Sequence, residues 1–256
     1  MQAIVVAGGL GSRMGALTRR TPKPLLAPPG CGPLLGYIVD ALVAVGVSRL
    51  VVCVGFGAGA IRGYLDGRFQ GIVIDYVVAP PRGVGFAVNQ CRRRMQADVP
   101  LLLTMADVVC PQGYAPLSQA LERVDVALAV SATGPDLDKR YTGARLAADG
   151  ELAFQCPENG ATAGRPVVGV YAIRPVRAFF QILHDRIDAV EQQRTTGTEA
   201  VTLGVMNQKG EYRLSFVLQA LADAGHTAAL VDIGPCAEVN RPHHLARAAS
   251  LLRSPR

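Results

Sequence analysis

The 256-residue chain is 50% hydrophobic and 18% charged, which supplies one large core and excludes a disordered or low-complexity scaffold. Its longest apolar runs, such as Leu50 to Phe56, are too short to span a bilayer, and Met1 to Gly9 reads as a strand entering a glycine turn, so a cytoplasmic protein with no membrane partner is expected. The net charge of +6 raises the question of nucleic acid. Arg92-Arg93-Arg94 is the one basic cluster, the chain has no Trp, and no basic stripe continues over several turns, so a small polyphosphate is favoured over a polynucleotide.

In chain order, short apolar runs alternate with helical patterns, as expected of βαβ units on a mainly parallel sheet. Ala3 to Ala7 predicts strand one, Pro33 to Val45 a helix, Leu50 to Val54 a strand and Gly57 to Leu65 a short helix. Ile72 to Val78, Leu101 to Met105 and Val126 to Ser131 are further strands, separated by helices over Gly85 to Met95 and Tyr114 to Arg123. The second half is less regular. A hairpin is expected through Asp149-Gly150, joining Leu146 to Asp149 with Glu151 to Phe154, then a strand over Val167 to Ile173 and a helix over Ala178 to Leu183. Gln192 to Thr198 reads as a polar loop, Ser215 to Ala224 as an amphipathic helix, Ala228 to Asp232 as a strand and His243 to Leu252 as the last helix. No repeat or linker divides the chain, so one domain over 1–256 is expected, with a frayed tail at 253–256. Nothing in it specifies an oligomeric state.

Six scattered cysteines lack the spacing of a zinc knuckle or redox dithiol, and the adjacent His243 and His244 cannot share a helix face; buried, inert thiols and no zinc site are expected. The informative segment is Ala7-Gly8-Gly9-Leu10-Gly11-Ser12-Arg13, directly after strand one. A glycine turn there lets backbone N–H groups approach a polyphosphate unobstructed by Cβ atoms. Such a turn is equally a tight βα connection, and its spacing is neither the dinucleotide nor the P-loop pattern. Its pairing with Arg13 and with Lys23, held between Pro22 and Pro24, is what points to phosphate, because the prolines limit the backbone around one point charge. Asp107, just past the apolar strand Leu101 to Met105, suits Mg²⁺ or caps a turn.

Gly9-Leu10-Gly11-Ser12-Arg13 followed by Pro22-Lys23-Pro24 resembles the sugar-phosphate nucleotidylyltransferases, whose signature is G-x-G-x-R and then P-K-P. The resemblance implies a Rossmann-like α/β fold and transfer of a nucleoside monophosphate from an NTP to a sugar 1-phosphate, with release of pyrophosphate. A related branch that acts on molybdopterin carries its lysine closer to the arginine, so the position of Lys23 disfavours that branch. The resemblance also implies a metal-binding Asp at Asp107, where Ala106 replaces the usual glycine, and a second Mg²⁺ ligand at Asn240 in Glu238-Val239-Asn240. Glu238 and Asp232 compete for that second place, since a carboxylate neutralises Mg²⁺ better than a carboxamide does. It places the nucleotide on Ala7 to Arg13 and on Gly83 and Val84, and the acceptor sugar near Gly143, Glu158 and Glu211.

Several family features are missing. Asn159 stands for a lysine, Val167 or Val168 for an asparagine, and Ser215-Phe216 for a Thr-Asp pair, so polar groups that would meet a sugar are lost. Two other readings therefore stand beside the transferase: a nucleotide-binding regulatory homologue with a degenerate acceptor pocket, and a nucleotide-sugar-dependent glycosyltransferase.

Overall fold

A computed structural model describes residues 1–131, 142–147, 151–155, 164–196, 205–207 and 209–253. One sheet organises them. Its path contains β1 (Gln2–Val6), β2 (Arg49–Val54), β3 (Val73–Val78), β4 (Leu101–Met105), β6 (Val126–Val130), β9 (Arg165–Ile173) and β10 (Ala228–Asp232), in the order β10-β6-β9-β4-β1-β2-β3. All neighbours run parallel except β9, which lies antiparallel between β4 and β6. The reversal follows from the approach: β9 pairs first with β7 (Gly143–Leu146), itself half of the expected hairpin with β8 (Leu152–Gln155), so the chain re-enters from the carboxyl ends without a crossover. The hairpin's turn, with Asp149 and Gly150, lies outside the described residues.

Strand residues alternate between two cores, one on each face of the sheet. Ile4, Val51, Cys53, Leu101 and Leu103 pack with Val88 of α3 (Val84–Gln90), Leu183 of α5 (Val176–Thr196) and Val217 of α6 (Ser215–Asp223). Ala3, Val5, Val52 and Leu102 face α1 (Leu34–Ala44), α2 (Ala58–Arg68) and α4 (Ala115–Ala120) through Leu35, Ile38, Ile61 and Leu117. Burial on both faces explains why the strands read as continuous apolar runs rather than as alternating ones. A third, smaller cluster joins Met14 and Leu34 to α7 (His244–Arg253) through Val239 and Ala248.

Two expectations need correction. The helix expected over Ala178 to Leu183 runs from Val176 to Thr196, so Gln192 to Thr196 is helical, not loop. Ile187 and Val190, buried to 2% and 4% exposure, continue the apolar stripe of Phe179 and Leu183, and this packing extends the helix into a polar sequence. Of the tail expected over 253–256, Arg253 closes α7, its guanidinium donating to the Pro29 carbonyl at 3.3 Å, and 254–256 lie outside the described residues. The small antiparallel pair β5 (Val108–Val109) and β11 (Ala237–Glu238) was not expected, because two-residue strands carry no periodicity. Cys53, Cys91, Cys110 and Cys236 are buried and Cys31 is partly so, while Cys156 lies outside the described residues.

Candidate active site

β1, β2 and β4 end at a cavity of about 1060 Å³, lined there by Val6, Cys53 and Met105. Parallel strands whose connections leave on opposite faces open such a crevice at their carboxyl ends. Directly after β1, the Ala7 amide continues the ladder to the Cys53 carbonyl at 2.7 Å, and the chain then leaves the sheet. Gly8 to Arg13 line the cavity; Ala7 itself is buried and does not. Gly11 adopts φ +65°, and a Cβ there would stand 3.0 Å from Thr18 Cγ2 and 3.2 Å from Lys23 Cβ. Only glycine fits both the backbone and the space. The Gly11 carbonyl accepts from the Met14 amide at 2.8 Å and from the Thr18 hydroxyl at 2.9 Å, which closes the turn, while buried Met14 anchors it to the third cluster.

Lys23 heads a single 3-10 turn, Lys23–Leu25, that follows extended Pro22 and contains buried Pro24. Its ammonium group donates to the Asp107 carboxylate and, at 3.3 Å, to Asn240 Oδ1. Arg13 Nη2 donates to the same Asn240 oxygen at 2.6 Å, and Asn240 Nδ2 donates to Glu238 Oε1. The β5–β11 pair is what unites residues so distant in sequence: Glu238 pairs with Val108, and the Val239 amide donates to the Asp107 carbonyl at 2.8 Å. Lys23 and Asp107 retain only 13% and 16% side-chain exposure, so each charge depends on the other for compensation.

Arg13, Lys23, Asp107, Asn240 and Glu238 thus form one network, and the Asn240 side chain is spent here rather than on capping α7. Asp232 lies elsewhere. It ends β10 and accepts from Arg165 at 2.7 Å and from the Gly234 amide at 2.9 Å, so the carboxylate beside Asn240 is that of Glu238.

Gly83 and Val84 line another part of the cavity, and Glu211 joins it with Asn207, whose Nδ2 donates to Glu211 Oε2 at 2.7 Å. Gly143 is buried in β7 opposite Gln155 and Pro166, and its neighbour Thr142 faces the cavity in its place. Glu158 and Asn159 lie outside the described residues. Val167, one of the two valines considered for the missing asparagine, lines the cavity beside Gly169 and Tyr171. Tyr171 and Tyr212 were not singled out as site residues, although both lie in segments where the resemblance was noted. Burial pushes the Tyr171 phenol above its ordinary value and the Glu238 carboxylate adds to this, so the hydroxyl keeps its proton and can donate. Among the described lining residues, Arg13, Lys23, Lys209 and Arg213 are basic and Glu211 alone is acidic, a balance suited to a polyanion.

Fold and site define the class: an α/β protein with the nucleotide-diphospho-sugar transferase fold. The chain belongs to the family of the MobA-like NTP transferase domain, whose match covers residues 3–197. It is 34% identical over 153 residues to CMP-5'-(3-aminopropyl)phosphonate synthase of Streptomyces rubellomurinus; the match takes in 59% of this chain and only 24% of that protein's length. To UTP–glucose-1-phosphate uridylyltransferase AglF of Haloferax volcanii it is 27% identical, with 91% and 88% of the two chains covered. The inositol-1-phosphate CTP transferase from T. maritima superposes with a TM-score of 0.71 at 18% identity, covering 98% of this chain and 94% of that one, a likeness of fold.

Proposed function

We propose that the protein transfers a nucleoside monophosphate from an NTP to an oxyanion on the phosphorus of a small acceptor, a sugar 1-phosphate or a related phosphate or phosphonate. The observation that carries this is the convergence of Arg13, Lys23 and Asn240 beside the glycine turn on a cavity large enough for a nucleotide and a second small molecule, with Asp107 paired to Lys23. Family membership supports the nucleotide half. The acceptor half draws on the two relatives, one named for glucose 1-phosphate and one for an aminopropylphosphonate.

The acceptor oxygen attacks the α-phosphorus, a new P–O bond forms, and the bond to the β-phosphate bridging oxygen breaks, its electron pair leaving with pyrophosphate. No side-chain nucleophile is needed. The glycine-turn amides and Arg13 hold the β- and γ-phosphates, and Lys23 lies between the α-phosphate and the incoming phosphorus group, where charge accumulates in the transition state. The donor chemistry of Asp107 and Asn240 fits Mg²⁺, since both turn hard oxygens toward one cation, the Lys23 ammonium, with Glu238 next in line. Bound there, the ion would neutralise phosphate charge at the reacting centre. Before that, Lys23 serves as counter-ion to Asp107 and holds the carboxylate in place. No described helix is long and apolar enough to cross a membrane, and we place the reaction in the cytoplasm, where NTPs are abundant.

Pyrophosphate release should be assayed with each of four NTPs against a panel of sugar 1-phosphates and aminoalkylphosphonates. Release that requires both partners is expected. NTP binding without release across the panel would leave a nucleotide-binding module, and release of a nucleoside diphosphate from a nucleotide sugar would mark a glycosyltransferase.

A further inference from the structure

Glu191 flanks the apolar stripe of α5. It stands one turn after Ile187 and next to Val190, both in the core, and its half-buried carboxylate turns to Arg82 and Tyr212. Its partners come from two different loops. Arg82 Nη2 donates to Glu191 Oε1 at 2.5 Å, and the Tyr212 hydroxyl donates to the same oxygen. The Arg82 guanidinium also lies over the rings of Phe86 and Tyr212, 4.2 and 5.6 Å from their centroids. Glu191 raises the pKa of Arg82 further, which keeps this end of the cluster permanently ionic.

The two loops are also joined by backbone. The Tyr212 amide donates to the Arg82 carbonyl and the Gly85 amide to the Tyr212 carbonyl, each at 2.9 Å. Gly83 sits between them at φ +95°, where a Cβ would come within 2.5 Å of the Tyr212 nitrogen. Residues 82–85 and 211–213 therefore move as one piece. Gly83, Val84, Glu211 and Tyr212 line the cavity, while Arg82, Phe86 and Glu191 stand behind that lining.

We propose that Glu191 is a positioning residue: by holding Arg82 and Tyr212 on one oxygen it fixes the Gly83-Val84 edge of the cavity, and with it the selectivity for one nucleobase over the others. The inference rests on the nucleotidyl-transfer reading, in which this edge meets the base. An edge made of backbone groups discriminates bases only as well as it is held, because a loose loop adapts its N–H and C=O groups to any base. A role in stability alone would lower the melting temperature and leave base preference untouched.

Isothermal titration of wild type, Glu191→Ala, Glu191→Gln and Tyr212→Phe with each of the four NTPs in MgCl₂ separates the two. Wild type is expected to prefer one NTP, and Glu191→Ala to reduce the ratio of weakest to tightest Kd about tenfold, with pyrophosphate release at saturating NTP reduced less. Glu191→Gln, which still accepts from Tyr212 but loses the charge opposite Arg82, should fall between and covers the case in which the alanine variant fails to fold. Tyr212→Phe combined with Glu191→Ala should be little worse than Glu191→Ala alone. An unchanged Kd ratio in both Glu191 variants, or a wild type that binds all four NTPs alike, overturns the inference while pyrophosphate release leaves the transfer reading standing. A wild type that binds no NTP overturns both.

Discussion

Arg13 and Lys23 reach the cavity from a single stretch that follows β1, whereas the opposite wall takes Gly169 and Tyr171 from an antiparallel strand, Tyr212 from a separate loop, and its support from Glu191 on α5. The first wall is made of local geometry: a positive φ that only glycine accommodates and a lysine between prolines. The second has glycines of its own at positive φ, Gly83 and Gly169, but is assembled by long-range contacts between separate elements. A wall of the first kind tolerates little change and keeps a common chemistry. A wall of the second kind can be refitted to a new partner while the fold stands.

The largest expected effect falls on the first wall. Lys23→Ala should lower kcat by at least about tenfold, equivalent to about 1.4 kcal/mol, while NTP affinity changes less, because the lysine meets charge that gathers only in the transition state. Arginine should rescue poorly, since its planar fork cannot set one compact charge between two phosphates. Single-turnover rates and NTP titrations decide this, and equal losses in rate and affinity would reduce Lys23 to an anchor. Asp107→Asn should follow, with turnover at limiting Mg²⁺ falling about fivefold or more and partly restored by excess metal. Asn240→Ala should show the same sign and a smaller size. If Glu238→Ala is the more damaging of the two, the second metal ligand is the carboxylate.

Within the second wall, Gly83→Ala tests the junction of its two loops. A methyl group at φ +95° pressing on the Tyr212 backbone should cost about 1–3 kcal/mol of stability, seen as a lower melting temperature, and should weaken NTP binding and acceptor binding together. Loss on one side only would show that the two loops are not coupled.

The smallest effect is expected away from both walls, at Asp125. Burial pushes its carboxyl up, but the Thr227 amide and hydroxyl, each at 3.0 Å, together with Arg174 and His226, outweigh this and leave it below its ordinary value of 3.8. A carboxyl depressed in the folded state contributes stability above its unfolded pKa, and that stability is lost as pH falls through the folded one. Asp125→Asn should therefore lower stability by about 1 kcal/mol at neutral pH, and the two denaturation midpoints should converge below about pH 4, with pyrophosphate release unaltered. A gap that persists in acid would assign the effect to hydrogen-bond geometry rather than charge.

Sequence alone determined the α/β pattern of the first half, the end of β1 as the turn of interest, and Arg13, Lys23 and Asp107 as the residues to look for beside it, which the fold brings into one network. These follow from local rules: apolar periodicity, the freedom of glycine, the rigidity of proline. The direction of β9, the length of α5 and the placing of Glu238, rather than Asp232, beside Asn240 were decided only by tertiary structure. Strand direction depends on which edge the chain reaches first, the polar end of a helix persists only when its apolar stripe finds a core, and Asn240 reaches Asp107 through a two-residue ladder too short to leave a period in the sequence. Glu191 belongs with these, because an acid beside an apolar stripe has a use only once Arg82 and Tyr212 are folded against it.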